Sequence, residues 1–145
     1  MLVNQILSMK PSGDIITVAP SVTVADAIRL LSEKRIGAVV VSEDGKTPLG
    51  ILSERDVVRE LGKRGVDVLT LTVSDLMTKK LITCTTGEDA LAILERMTAG
   101  RFRHLPVVGD SGEMVGLISI GDAVFARLKE LNAEKEALTG MIMGN

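Results

Sequence analysis

Gly50-Ile51-Leu52-Ser53-Glu54-Arg55-Asp56 returns as Gly116-Leu117-Ile118-Ser119-Ile120-Gly121-Asp122, 66 residues further along a chain of 145. The shared phrase is Gly, two aliphatics, Ser, two variable residues and Asp. A repeat at a fixed period decides the architecture before any single residue does, so the chain reads as two related units. Each unit then carries one serine and one aspartate at the same place in its fold. Paired polar positions of this kind point to two ligand sites rather than one catalytic centre.

The repeat extends beyond the phrase. At the same shift Ile16-Thr17 falls on Ile82-Thr83, Arg35 on Arg101, Val41 on Val107, Asp44 on Asp110 and Val58 on Val124. Upstream, Val3-Asn4-Gln5-Ile6-Leu7 matches Val73-Ser74-Asp75-Leu76-Met77 at a shift of 70. The difference is absorbed by Lys10-Pro11-Ser12-Gly13, a turn-rich insertion that belongs in a loop. Repeat one is therefore expected over residues 1–66 and repeat two over 67–145. Two units of this size are each marginal alone and too few for a solenoid. They are expected to share one core as a single globular module.

Composition narrows the function classes. Apolar residues make up 46 % of the chain, enough for a sizeable core. No apolar run approaches the ~18 residues needed to span a membrane. The chain does not open with a charged-then-apolar signal, so a cytoplasmic location is the default expectation. The single cysteine, Cys84, excludes an internal disulfide and suits a reducing compartment. A net charge of −2 and a pI near 5.5 argue against a general nucleic-acid binder. With no Trp, no Tyr and two Phe, the core must be aliphatic, and a planar ligand would lie between aliphatic side chains and backbone without an aromatic shelf.

Periodicity sets the elements. Val24, Ala27, Ile28 and Leu31 form one apolar stripe of a helix, with Thr23 and Asp26 as its capping box. Ala38-Val39-Val40-Val41 reads as a strand buried on both faces. Glu43-Asp44-Gly45-Lys46 is a turn, Leu49 to Ser53 a strand pairing back, and Arg55 to Leu61 a helix. The second unit repeats the order: Ile82-Thr83-Cys84 extended, a helix from Glu88 to Thr98 with Ala90, Leu94 and Met97 inward, strands Arg103–Val108 and Met114–Ser119 around the turn Asp110-Ser111-Gly112, and a long helix from about Gly121. The fold class is α/β, an α+β sandwich with helices packed on one side of the sheet.

Ser53-x-x-Asp56 and Ser119-x-x-Asp122 have two meanings. As capping boxes they satisfy orphan amides of a first helical turn, and Thr23-x-x-Asp26, Thr72-x-x-Asp75 and Thr86-x-x-Asp89 show the same spacing. Their context differs, because Gly-aliphatic-aliphatic precedes them and the serine closes a strand as it opens a helix. Such a turn offers free backbone N–H groups to a phosphate. An acid one turn in can accept hydrogen bonds from two ribose hydroxyls. The glycine would permit close backbone approach. Capping and binding can coexist.

The doubled phrase, set after an Ile-Thr-Val type strand and a Leu-Pro-Val-Val type strand, resembles the tandem cystathionine-β-synthase (CBS) domain pair, or Bateman module, of the stand-alone type. The resemblance covers nearly the whole chain. It implies two β-α-β-β-α units related by a pseudo-twofold axis, with two clefts for adenosine-containing ligands: AMP, ADP, ATP, NAD(H) or S-adenosylmethionine. By position, it implies that Asp56 and Asp122 hold ribose and that Ser53 and Ser119 face ribose or phosphate. Thr17, Val18, Ile36, Gly37 and Ala38 would border adenine in the first cleft. Thr83, Cys84, Arg103, His104, Leu105 and Pro106 would wall the second.

The copies differ in charge. Arg55 stands beside the first aspartate, where the second copy has Gly121; Arg103 and His104 stand where the first has Gly37 and Ala38. Arginine is the better phosphate fork, so one cleft is expected to hold phosphate through Arg55 and the other through Arg103 and His104. Arg101-Phe102-Arg103 reads equally as a solvated strand edge with a buried Phe. His104 is the only histidine, and nothing nearby completes a catalytic triad or a metal set. Cys84 aligns with Val18, where core packing is the simpler role. Lys79-Lys80 serves either solubility or a phosphate. The last helix places Val124, Leu128, Leu131, Leu138 and Ile142 on one side, interrupted by Lys135; a homodimer contact is the expected use, with docking to another protein second. The sequence thus points to a non-catalytic adenine-nucleotide sensor that acts in trans on a partner, without nucleic acid or membrane. Its rivals are a structural dimerisation module with empty clefts and a small hydrolase or transferase built on His104 and Asp122.

Overall fold

The protein is described by a computed structural model covering residues 1–10 and 15–144. Pro11, Ser12 and Gly13 of the insertion lie outside the described residues. The first half contains α1 (Val3–Ser8), β1 (Thr17–Val18), α2 (Val24–Lys34), β2 (Ala38–Val41), β3 (Gly50–Ser53) and α3 (Glu54–Arg64). A 3₁₀ turn (Gly65–Thr70) and α4 (Val73–Leu76) lead to α5 (Ala90–Gly100), β4 (His104–Val108), β5 (Met114–Ser119) and α6 (Ile120–Ile142). The result is an α+β fold built around two small sheets.

In the first sheet β1 runs parallel to β2, and β2 pairs antiparallel with β3. All four β2 residues are buried, as a continuous apolar strand requires, whereas β3 buries alternate residues. The intervening turn is held by Asp44, whose Oδ1 accepts from the backbone amides of Lys46 and Thr47, each at 2.8 Å, and from Ser42 Oγ at 3.0 Å. Those donors, Thr47 first, draw its carboxyl down to about 2. In the second sheet β4 pairs antiparallel with β5. The counterpart of β1 is reduced to one parallel bridge, Cys84 to Val107.

The chain forms two apolar clusters where one shared core is the sequence expectation, and they exchange their short helices. Val3 and Ile6 of α1 are buried among Cys84, Ala90, Ile93, Met97, Leu105, Val107 and Ile118, all from the second half. Val73 and Leu76 of α4 are buried with Val24, Leu31, Val39 and Leu52 of the first. The docking bonds repeat under the pseudo-twofold: Val3 N donates to Glu88 O as Val73 N donates to Val22 O, both at 2.8 Å. Each motif glycine serves this exchange. A Cβ on Gly50 would lie 2.6 Å from Met77 Sδ and 2.9 Å from Thr78 O; one on Gly116 would lie 2.6 Å from Leu7 Cδ2. Leu7 and Met77 are the partners matched at the 70-residue shift, so the glycines admit a neighbouring segment of chain. The close approach to a ligand expected from sequence is not what fills that space.

Three local expectations need correction. Ile93 takes the fully buried position on α5, and Leu94 packs at the core's edge, because Asp89 caps the helix and sets its rotation. Asp89 Oδ1 accepts from Ala92 N at 2.8 Å. Thr86-x-x-Asp89 is thus no capping box; Thr86 instead accepts from Asn4 N through its carbonyl. Helix α2 is capped by Thr23, its Oγ1 accepting from Asp26 N at 3.2 Å, but the expected box is not closed, because Asp26 Oδ1 accepts from Arg29 Nη1 at 3.2 Å.

Candidate functional site: two clefts built across the repeats

Both repeated phrases fold as strand, serine cap and helix. Ser53 Oγ accepts from Asp56 N at 3.2 Å, while Asp56 Oδ2 accepts from Ser53 N at 3.1 Å and from Ser53 Oγ at 2.9 Å. Ser119 and Asp122 repeat the box, with Asp122 Oδ2 accepting from Ser119 N at 2.9 Å. Capping is therefore real at both sites. A basic side chain completes each acid: Arg59 Nη2 donates to Asp56 Oδ1 at 2.9 Å, and Lys10 Nζ lies 3.0 Å from Asp122 Oδ2. Lys10 also donates to Leu117 O at 2.8 Å. Burial would raise the Asp122 carboxyl, but the Ser119 amide and the Lys10 ammonium outweigh it and hold the group below the usual carboxylate range.

Each phrase opens into a cleft whose far wall comes from the other repeat. The larger, about 610 Å³, joins Ser53, Arg55 and Asp56 to Arg101, Phe102, Arg103, His104 and Pro106. The smaller, about 340 Å³, joins Ser119 and Asp122 to Arg35, Ile36, Gly37 and Ala38. Both volumes fall in the range of small-molecule sites. The walls expected from sequence are thus exchanged: Arg55 and Arg103 face one cleft, not two, because the residues leading into β2 and β4 face the motif of the other repeat, although each strand stays paired with its own. Phe102 also supplies an aromatic wall that composition argued against.

Thr17, Val18, Thr83, Cys84 and Leu105 line neither cleft. Val18 and Cys84 are buried in the two cores, and burial pushes the Cys84 thiol up to about 12. Leu105 is fully buried in the second core. Thr17 pairs with Val40 in the sheet, and Thr83 O accepts from Arg96 Nη1 at 3.1 Å.

Four basic residues join the clefts without having been singled out as binding positions. Arg59 and Arg101 line the larger, Lys10 and Arg35 the smaller. Arg35 and Arg101 are equivalent residues in left-handed backbone, φ 54° and 56°, each ending its helix. Glycine is usual there, so an arginine retained at both positions was the available sequence signal. Lys80, left open by sequence, lines the larger cleft. That cleft sets Arg55, Arg59, Lys80, Arg101 and Arg103 against Glu54 and Asp56, an arrangement suited to an anion. His104 lines both clefts, and a Cβ on Gly37 would lie 3.3 Å from its Cε1. Burial lowers its pKa; Asp122 and Glu54 act to raise it, Lys10 and Arg103 to lower it further. Among the described residues no group of three His, Cys, Asp or Glu side chains could hold a metal ion. No helix among them is long and apolar enough to cross a membrane.

Comparison with known proteins agrees with this architecture. The family model described as CBS domain matches twice, over residues 3–63 and 73–129. The chain is 38 % identical over 126 residues to the CBS domain-containing protein CBSX3, mitochondrial, of Arabidopsis thaliana, spanning 84 % of this chain and 61 % of that one. Among solved structures it resembles the CBS-domain containing protein ATU1752 from Agrobacterium tumefaciens, with TM-score 0.83 and 40 % identity over 88 % of this chain and 99 % of that one. The fold is shared with PAE2072 from Pyrobaculum aerophilum, solved in complex with AMP, with TM-score 0.77 and 24 % identity over 93 % of this chain and 99 % of the other. Two family matches, one on each half and each containing a cleft-forming Ser-x-x-Asp turn, place the chain in the CBS-domain family as a tandem pair.

Proposed function

We propose that this CBS pair is a non-catalytic sensor that binds an adenine nucleotide, works as a homodimer in the cytoplasm, and passes its occupancy to another protein in trans. The observation carrying the proposal is the larger cleft. Its Ser53–Asp56 turn offers a carboxylate for ribose, and five basic side chains offer partners for phosphate. Ile51, Leu81, Ile82 and Phe102 supply an apolar wall for a base. Ribose hydroxyls would replace Arg59 on Asp56 Oδ1 and free that guanidinium for the phosphate. The AMP held by PAE2072, on the same fold, supports this assignment.

AMP and NAD(H) are favoured over S-adenosylmethionine, whose sulfonium would face the same cations, and ATP and ADP also carry the phosphates those cations suit. Ligand in either cleft touches both repeats, so binding stabilises one arrangement of them, and a partner reads that arrangement by linkage.

A second reading, a structural module with empty clefts, is favoured by the capping role that Ser53, Asp56, Ser119 and Asp122 already fill within the chain. The missing Trp and Tyr separate the two, because the protein itself absorbs little at 280 nm. Protein purified under native conditions is expected either to show adenine absorption near 260 nm, with the released ligand identified by mass spectrometry, or to bind AMP or NAD in calorimetry. Clean protein that binds none of the adenine ligands would establish the structural reading.

A further inference from the structure

Helix α6 carries a heptad on a face that the described chain leaves bare. Val124, Leu128, Leu131, Lys135, Leu138 and Ile142 are spaced four, three, four, three, four, the alternation of d and a positions along a coiled-coil seam. Ala123 and Ala126, on another face, are fully buried in the second core. Their burial fixes the rotation of α6 and turns the seam outward. Leu128, Leu138 and Ile142 are 60, 60 and 84 % exposed. Every residue from Leu131 to Thr139 is exposed, and a helical segment of that length gains little stability from its backbone alone.

We propose that α6 of a second copy covers this face, running antiparallel, with Arg127 of each helix beside Glu134 of the other. Charge selects both orientation and register. In a parallel pair a positions face each other, which sets the two Lys135 ammoniums in one layer. The g positions, Arg127 and Glu134, would then meet only Asn132 and Thr139. In an antiparallel pair a faces d, so Lys135 lies against Val124, its stem covering the apolar seam and its ammonium reaching solvent. The g positions now face each other, and the twofold axis makes two Arg127–Glu134 pairs from one match. Sliding by a heptad would instead put Glu134 against Glu134. In the favoured register Leu131 and Lys135 of each helix lie along Leu128 and Val124 of its partner, and Leu138 lies opposite the start of the partner helix at Gly121.

This inference rests on the homodimer reading for the number of copies and is independent of the nucleotide. Light scattering across a dilution series tests the charges. Arg127→Glu and Glu134→Arg should each weaken the dimer about tenfold, and the double variant should restore it. Unchanged dimerisation in both single variants, with helix content retained, would overturn the pairing. Disulfide trapping tests geometry, with buried Cys84 as a silent background. Val124→Cys chains mixed with Lys135→Cys chains should cross-link on mild oxidation, and Leu131→Cys chains should not cross-link to themselves. A Leu131→Cys homodisulfide would overturn the orientation, and a Val124→Cys link to Ile142→Cys the register; either leaves the homodimer standing. Monomeric wild type would overturn both.

Discussion

Gly50 and Gly116 look interchangeable in the repeated phrase, yet their neighbours differ in how far they can move. A methyl on Gly50 meets the Thr78 carbonyl, which is backbone, whereas one on Gly116 meets only the end of the Leu7 side chain. Gly50→Ala is expected to cost about 1–3 kcal/mol of stability, and Gly116→Ala less; chemical denaturation of the two variants measures the difference. Arg101 poses the opposite case, a side chain kept where backbone favours glycine. Arg101→Gly should leave stability unchanged or raise it by up to about 1 kcal/mol, yet lower AMP affinity about tenfold or more through loss of a charged donor. His104 couples stability to pH. Its folded pKa lies below the ordinary value of about 6.5, so as pH falls the unfolded chain takes up the proton first. Stability is therefore intact above that value and declines as pH drops from it toward the depressed folded one. Glu88 and Asp122, also held low, surrender their contributions only at lower pH, near and below the ordinary carboxylate range. His104→Gln should flatten the melting-temperature profile below about pH 6.5 and leave the acid limb in place.

Elements governed by local chemistry were legible in the sequence. Apolar spacing located α2, α3, α5 and α6, and the run Ala38–Val41 announced a strand buried on both faces. The repeated Ser-x-x-Asp marked two strand-to-helix turns that the structure closes as full capping boxes. Ser53→Ala is accordingly expected to cost about 1 kcal/mol even without ligand, measured as a shift of the denaturation midpoint. What stayed hidden was tertiary. The match of residues 3–7 to 73–77 showed that α1 and α4 are equivalent, but a short apolar segment does not declare which half it packs against. The residues leading into β2 and β4 face the other repeat's motif, a tertiary placement that spacing does not declare, so Arg103 lines the cleft of Ser53 and Asp56 and not the one expected. Lys10 escaped notice because a salt bridge to a capping aspartate far along the chain has no spacing signature, whereas Arg59 stands three residues after Asp56, a helical spacing the sequence did offer.

At the scale of the whole molecule, the exchange makes each cleft a contact between repeats. A ligand there is a bolt through the pseudo-twofold, and His104, lining both clefts, lies where one occupancy meets the other. The clefts are unequal, about 610 Å³ with five basic side chains against about 340 Å³ with Lys10 and Arg35. Titration calorimetry of AMP into the wild-type protein, Asp56→Asn and Asp122→Asn tests this account most directly. It predicts two binding events of different affinity in the wild type, with the tighter one lost in Asp56→Asn and the weaker one lost in Asp122→Asn. Equal affinities, isotherms unchanged by both substitutions, or no binding of AMP at all would contradict it.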